Sequence, residues 1–190
     1  MLQRTSSIEP VFQGEFDGLC GVYAIINAIR KLYPKRFSPS CQSAMFELLT
    51  DYAIKEQGNL SILTSGIGLR ELKQLIKVAV EDLKEEKGFR IRVDQPWRLK
   101  SNKALYVEEI KHLLDQPNVS ILIGIDNPYK HWTVMNCYND DDLELLDSTG
   151  HEDIPFEQLL ITHNAHFKSD DYVITPNSIF VLTKEKSGLI

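Results

Sequence analysis

The sequence predicts an α+β fold. Apolar residues recur at helical spacing through most of the first 117 residues, and after residue 118 short β-rich runs bounded by turn signals replace them. With 190 residues, 43% hydrophobic and 25% charged, the chain has the composition of one soluble globular domain. A domain of that length buries roughly 70% of the surface its unfolded chain exposes, so its core needs no metal or disulfide.

The first helix is expected over Cys20–Leu32, where Val22, Ile25, Ile26, Ile29 and Leu32 form a stripe that stops before Pro34. Gly14, Asp17 and Gly18 make a turn-prone approach, which places Cys20 in the first turn of that helix. A second helical pattern covers 40–53, and a Ser/Gly/Thr-containing loop at 58–68, a candidate lid, leads to the longest helix. Leu69, Leu72, Leu75, Ile76, Ala79 and Leu83 make the apolar face of that third helix, and the charge run 81–87 before Gly88 is its solvated end.

Residues 89–93 alternate like a strand, the Pro-containing basic loop around Trp97 either lines a groove or packs on the core, and 104–114 reads as a helix. Three β-rich runs follow at 119–125, 132–138 and 143–147, the last two flanking a tight polar turn at 139–142 that marks a hairpin. A helix at 156–162 and a strand at 178–183 complete the series. With no repeat, low-complexity stretch or linker, the chain reads as a single domain over 1–190, a helical lobe over about 1–117 and a β lobe over about 118–190. The cleft between lobes is the place to look for chemistry.

Lys and Arg total 21 against 27 Asp and Glu, and the net charge of -6 has the wrong sign for neutralising phosphates, so nucleic acid is not the expected partner. Three cysteines, Cys20, Cys41 and Cys137, are an odd number at no metal-like spacing, which favours a reducing compartment and a cytoplasmic location. No apolar run approaches the ~18 residues of a membrane span, and the first ten residues hold no apolar signal core. Export as an effector without a cleavable signal would leave no trace of this kind. The sequence is silent on oligomeric state.

A thiol reacts as its thiolate, and a helix start presents unpaired N–H groups that favour the anion, so Cys20 is placed to be a nucleophile. Gly18 and Gly21 beside it are expected to keep bulk away from the sulfur and let a substrate carbonyl approach. His131 follows a turn at 127–130 and is the best-placed proton acceptor. Asp147 lies sixteen residues later, and a hairpin between the two brings its ends together so that the carboxylate can orient the imidazole. Gln13, seven residues before Cys20, offers a side-chain amide to a developing oxyanion.

The stretches QGEFDGLCGVYAIINAI and HWTVMNCYNDDDLELLDS resemble the papain-like cysteine peptidase superfamily, in particular small bacterial members such as the double-glycine, bacteriocin-processing peptidases. The resemblance implies a papain-like two-lobe fold with a central nucleophile helix, a protein or peptide substrate, and no cofactor or metal. It makes Gln13 the oxyanion donor, Cys20 the nucleophile, His131 the base and Asp147 the orienting acid, with Trp132 a supporting aromatic at the substrate site. The chain departs from papain itself in having Val22 and Tyr23 where a Trp follows the nucleophile region, and in a shorter spacing between Cys20 and His131. The string Asp17-Gly18-Leu19-Cys20 also resembles the DGxC of ovarian-tumour-type deubiquitinases, although those place their histidine nearer the end of the domain.

The function expected is hydrolysis of a peptide or isopeptide amide by a thiol. Glutamine deamidation and acyl transfer share the same residues, and a catalytically inactive protein-binding module or a plain interaction domain are the readings from another class. His163 and His166, spaced HNAH before Asp170 and Asp171, read as a solvated loop rather than a zinc site. His112 and His151 have no evident partners, and Cys41 and Cys137 read as ordinary core or surface thiols.

Overall fold

A computed structural model describes residues 8–14, 17–57, 62–96, 103–163 and 166–185. Trp97 and residues 58–61 of the candidate lid lie outside them. The helices are α1 (Cys20–Leu32), α2 (Pro39–Gln57), α3 (Ile62–Ser65), α4 (Leu69–Lys87) and α5 (Lys103–Leu114). The strands are β1 (Ile91–Asp94), β2 (Val119–Asn127), β3 (His131–Tyr138), β4 (Asp142–Leu145), β5 (Asp153–Pro155), β6 (Leu159–Ile161) and β7 (Tyr172–Lys184). They form one seven-stranded sheet in the order β1-β7-β2-β3-β4-β5, antiparallel throughout except that β6 runs parallel to β7. The architecture is the α+β fold expected.

The sheet has a core on each face. One joins α1, α2 and α4 to the inward side chains Leu122, Val134, Phe180 and Leu182. The other gathers Tyr106 and Ile110 of α5 with Ile121, Ile123, Met135 and Val181 on the opposite face. Helix α1 packs on β2 and β3 with one side and on α2 and α4 with the other, which is why its burial extends beyond the predicted stripe to Ala24, Ala28 and even Asn27. Asn27 is satisfied there: its amide donates to the Val11 carbonyl and its carbonyl accepts from the Val11 N–H. That pair straps residues 8–14 along the helix. Helix α4 ends as its composition suggests, on Gly88 in the left-handed region at φ 63, whose N–H returns to the helix.

The β3–β4 hairpin forms across the predicted turn, where Asn139 Oδ1 accepts from the N–H groups of Asp141 and Asp142. Several boundaries differ from expectation. The helix expected at 156–162 is instead a turn followed by β6, because a three-residue apolar run carries too little periodicity to separate helix from strand and the exposed edge of β7 captures it. Strand β7 begins at Tyr172, well before Ser178, running through Pro176 with register shifts in its pairing to β2. The lid region carries the short helix α3. Among the described residues no helix is long and apolar enough to cross a membrane.

Candidate active site

Asp17 organises the chain ahead of Cys20. Its Oδ1 accepts from the Leu19 N–H at 3.1 Å, and its Oδ2 accepts from the Gly14 N–H at 2.8 Å. Gly18 donates its N–H to Leu63 of α3, and a Cβ at Gly18 would stand 2.9 Å from the Gly66 nitrogen. A Cβ at Gly21 would meet Leu72 Cδ1 at 3.0 Å. The open approach expected of both glycines is therefore close packing: one lets two loops cross, and the other lets α1 sit down on α4. Cys20 emerges from this packed base as the first residue of α1, half-buried, with an N–H that has no acceptor inside the helix.

His131 opens β3 and sits opposite Ile125 of β2. Its Nε2 lies 2.6 Å from Asp147 Oδ2, and both residues are buried, at 7% and 1% exposure. The second oxygen of Asp147 accepts from the Thr149 N–H and Thr149 hydroxyl, each at 2.7 Å, and from the His151 N–H. Burial works to raise the Asp147 pKa, but the hydrogen bond and charge of His131, with the hydroxyls of Thr133 and Thr149, outweigh it and hold the carboxyl well below its usual range. Burial likewise opposes the charged imidazole, and is outweighed by the hydrogen bonds and charges of Asp147 and Cys20, so that His131 is pushed up to about 9. The ring lines the same cleft as Cys20. With Nε2 committed to the carboxylate, Nδ1 is the nitrogen left for the sulfur.

Gln13 reaches this group from the other side. Its N–H donates to the Ser148 carbonyl at 2.9 Å, its Oε1 accepts from the Ser148 hydroxyl at 3.1 Å, and its Nε2 donates to the Asp17 carbonyl at 3.1 Å. The amide is thus held between the loop that precedes Cys20 and the residue that follows Asp147. It is not among the residues that line the cleft.

The cleft, of about 380 Å³, runs over Cys20 and His131 between Gly66, Ile67 and Gly68 on one wall and Gly124, Ile125 and Asp126 on the other. Trp132 lines its floor. The indole N–H donates to the Ile67 carbonyl at 2.6 Å, and a Cβ on Gly124 would fall 2.5 Å from the ring, so glycine is required wherever this tryptophan lies flat. Trp132 is 8% exposed and packs with the helical core, tying the two walls together.

The remaining predicted residues lie apart. Cys137 donates to Glu144 Oε2 at 2.8 Å on the β3–β4 hairpin. Cys41 stands near the start of α2, where the Ser38 hydroxyl does most to lower its pKa, desolvation opposes it, and the Ser38 backbone and Lys87 add smaller lowering effects. His163 and His166 are exposed, and among the described residues no group of three or more His, Cys, Asp or Glu could hold a metal. His151 does have partners, contrary to expectation: the Tyr172 hydroxyl at 3.1 Å and the ring of Tyr129. Sequence reasoning missed Thr149, Ser148 and Tyr129. The first two are signalled by the DST turn itself, in which an Asp accepts from the N–H two residues on, but nothing local marks Tyr129.

No family model matches the chain, and no curated protein matches it by sequence. Among solved structures it is similar to the peptidase domain of Streptococcus ComA, a bifunctional ABC transporter involved in quorum sensing, at 15% identity and a TM-score of 0.49, with 93% of this chain and 98% of that one covered. It is also similar to the Pseudomonas avirulence protein AvrPphB, at 10% identity and a TM-score of 0.36, with 86% and 90% covered.

Proposed function

We propose that this protein is a papain-like cysteine hydrolase, a single domain that cleaves an amide bond in a protein or peptide. The observation that carries the reading is the buried 2.6 Å contact of His131 Nε2 with Asp147 Oδ2, on a ring that shares one cleft with a cysteine at a helix start. An acid on one nitrogen of an imidazole fixes its tautomer and stabilises its charged form, which suits the other nitrogen to exchange a proton with a nucleophile.

In this mechanism the Cys20 sulfur, its proton held by His131, attacks the carbonyl carbon and pushes the carbonyl electrons onto oxygen. The N–H of Cys20 and the second Nε2 hydrogen of Gln13 receive that oxyanion. As the tetrahedral species collapses the C–N bond breaks, and His131 passes its proton to the departing amine. Water then attacks the thioester, giving one proton to His131, and the carboxylic acid leaves as the thiolate reforms. Asp147 keeps its charge throughout. Trp132, Gly18 and Gly21 support the site by packing, and no cofactor enters the chemistry. A cytoplasmic setting is consistent with cysteines that form no disulfide.

The test is alkylation followed by intact mass in a Cys41→Ser, Cys137→Ser background, which removes both competing thiols. Selective labelling of Cys20 that slows in His131→Ala, joined to turnover of a peptide, isopeptide or glutamine-amide substrate that Cys20→Ala abolishes, supports the reading. Cys20 labelling that ignores His131 overturns it and leaves a binding module. Release of ammonia from glutamine without chain cleavage would assign the deamidase.

A further inference from the structure

Among the described residues, the aromatic ring that packs against His131 is that of Tyr129. Tyr129 lies in the turn between β2 and β3, just after the cis Asn127–Pro128 peptide. Its ring centroid is 5.8 Å from that of His131, tilted by 56°, and 5.1 Å from that of His151, edge to face at 81°. His151 donates its backbone N–H to Asp147 Oδ1, and its Nε2 shares a hydrogen bond with the Tyr172 hydroxyl at the start of β7. Three segments distant in sequence thus converge on one side of the pair. Trp132, by contrast, points into the cleft floor with its N–H on Ile67.

The Tyr129 hydroxyl is buried and meets no hydrogen-bond partner among the described residues. Burying an unpaired hydroxyl is unfavourable, so the ring rather than the oxygen is what this position uses. A ring there matters to the pair because an ionic hydrogen bond weakens steeply when water enters and raises the local dielectric. It also limits rotation of the imidazole, whose two nitrogens must face Asp147 and Cys20 at once.

We infer that Tyr129 is a positioning residue that roofs the His131–Asp147 hydrogen bond, excluding water from it and fixing the plane of the imidazole toward Cys20. The inference rests on the reading of His131 as the working base. His151, in the loop between β4 and β5, and Tyr172, at the start of β7, buttress the roof.

Two measurements test it on the full chain carrying Cys41→Ser and Cys137→Ser: the far-downfield imidazole N–H resonance of His131 in water, with ¹⁵N-labelled histidine, and the rate of Cys20 alkylation at neutral pH. Tyr129→Phe should keep the resonance and label within about twofold of the parent, whereas Tyr129→Ala should lose the resonance to solvent exchange and label roughly tenfold more slowly, as expected when a reacting group is misplaced. Tyr129→Leu, which keeps apolar cover without the ring, replaces the alanine variant should that one fail to fold. A resonance that survives both truncations, or one that Tyr129→Phe abolishes, overturns the roof. A parent protein without the resonance overturns the roof and the hydrolase together. A parent that shows it but leaves Cys20 inert overturns the hydrolase alone.

Discussion

Ser148 donates its hydroxyl hydrogen to Oε1 of Gln13 across 3.1 Å, so the residue directly after Asp147 orients the amide that faces the loop before Cys20. One turn therefore serves both halves of the site: Asp147 sets the imidazole and Ser148 sets the carboxamide. Accepting at Oε1 leaves Nε2 to donate to the Asp17 carbonyl. Ser148→Ala should then slow amide cleavage while leaving alkylation of Cys20 unchanged, because alkylation forms no oxyanion. Gln13→Ala should cost more, on the order of 10²–10³ in turnover, the loss typical of one oxyanion donor. Equal losses in both assays would show that the turn supports the fold rather than the amide.

Asp147→Asn preserves the shape of the turn but removes the charge that sustains the imidazolium. The His131 titration, followed by NMR, should fall from about 9 toward the ordinary 6.5. Asp147→Ala, which leaves the buried ring unpaired, should cost about 3–5 kcal/mol in denaturant unfolding. An unmoved His131 midpoint in Asp147→Asn would mean the carboxylate is not what holds the proton.

The pair also makes stability depend on pH with a defined sign. His131 has a folded pKa raised above 6.5, so its contribution is complete below 6.5 and is lost as pH rises toward about 9. Asp147 is depressed, so its contribution is complete above 3.8 and is lost as pH falls below that. Lys31, buried with its ammonium on the Met135 and Asn136 carbonyls, is lowered from 10.5 to about 8 by burial and acts in the opposite direction above that pH. The comparison is therefore wild type against His131→Gln across pH. The stability gap should be widest between about pH 4 and 6.5 and should close toward pH 9. A gap that widens with alkaline pH would contradict the assignment.

Gly18→Ala tests the crossing beneath Cys20. A Cβ there would stand 2.9 Å from the Gly66 nitrogen and 3.1 Å from the Thr64 carbonyl oxygen, both backbone atoms that cannot rotate away. Overpacking of this kind costs typically about 1–3 kcal/mol, and the displaced loop should also slow labelling of Cys20. Wild-type unfolding midpoints for Gly18→Ala would show that the loop has room to yield.

Much of the site was legible in the sequence because its parts are local. The apolar stripe from Val22 to Leu32 announces α1, and the polar turn between β3 and β4 folds His131 back toward Asp147 whatever surrounds them. What escaped depends on contacts between distant segments. Gly21 looks like room for a substrate until Leu72 is seen against it, and Trp132 looks like a companion to the histidine until its N–H is found on Ile67. Tyr129 and His151 meet only once the β2–β3 turn and the loop between β4 and β5 are brought together. Strand β6 is too short to declare itself without β7.

The place of β7 bears on when the protein can work. It is the last strand among the described residues, yet it lies between β1 and β2 and also carries β6. As the chain leaves the ribosome, α1 with its Cys20 emerges long before the segment that lets β1 and β2 join one sheet. Contacts between such distant segments form late and slowly. Cys20 is synthesised early and β7, the strand that joins β1 to β2, well after it, so the sheet that carries His131 closes only once β7 is in place.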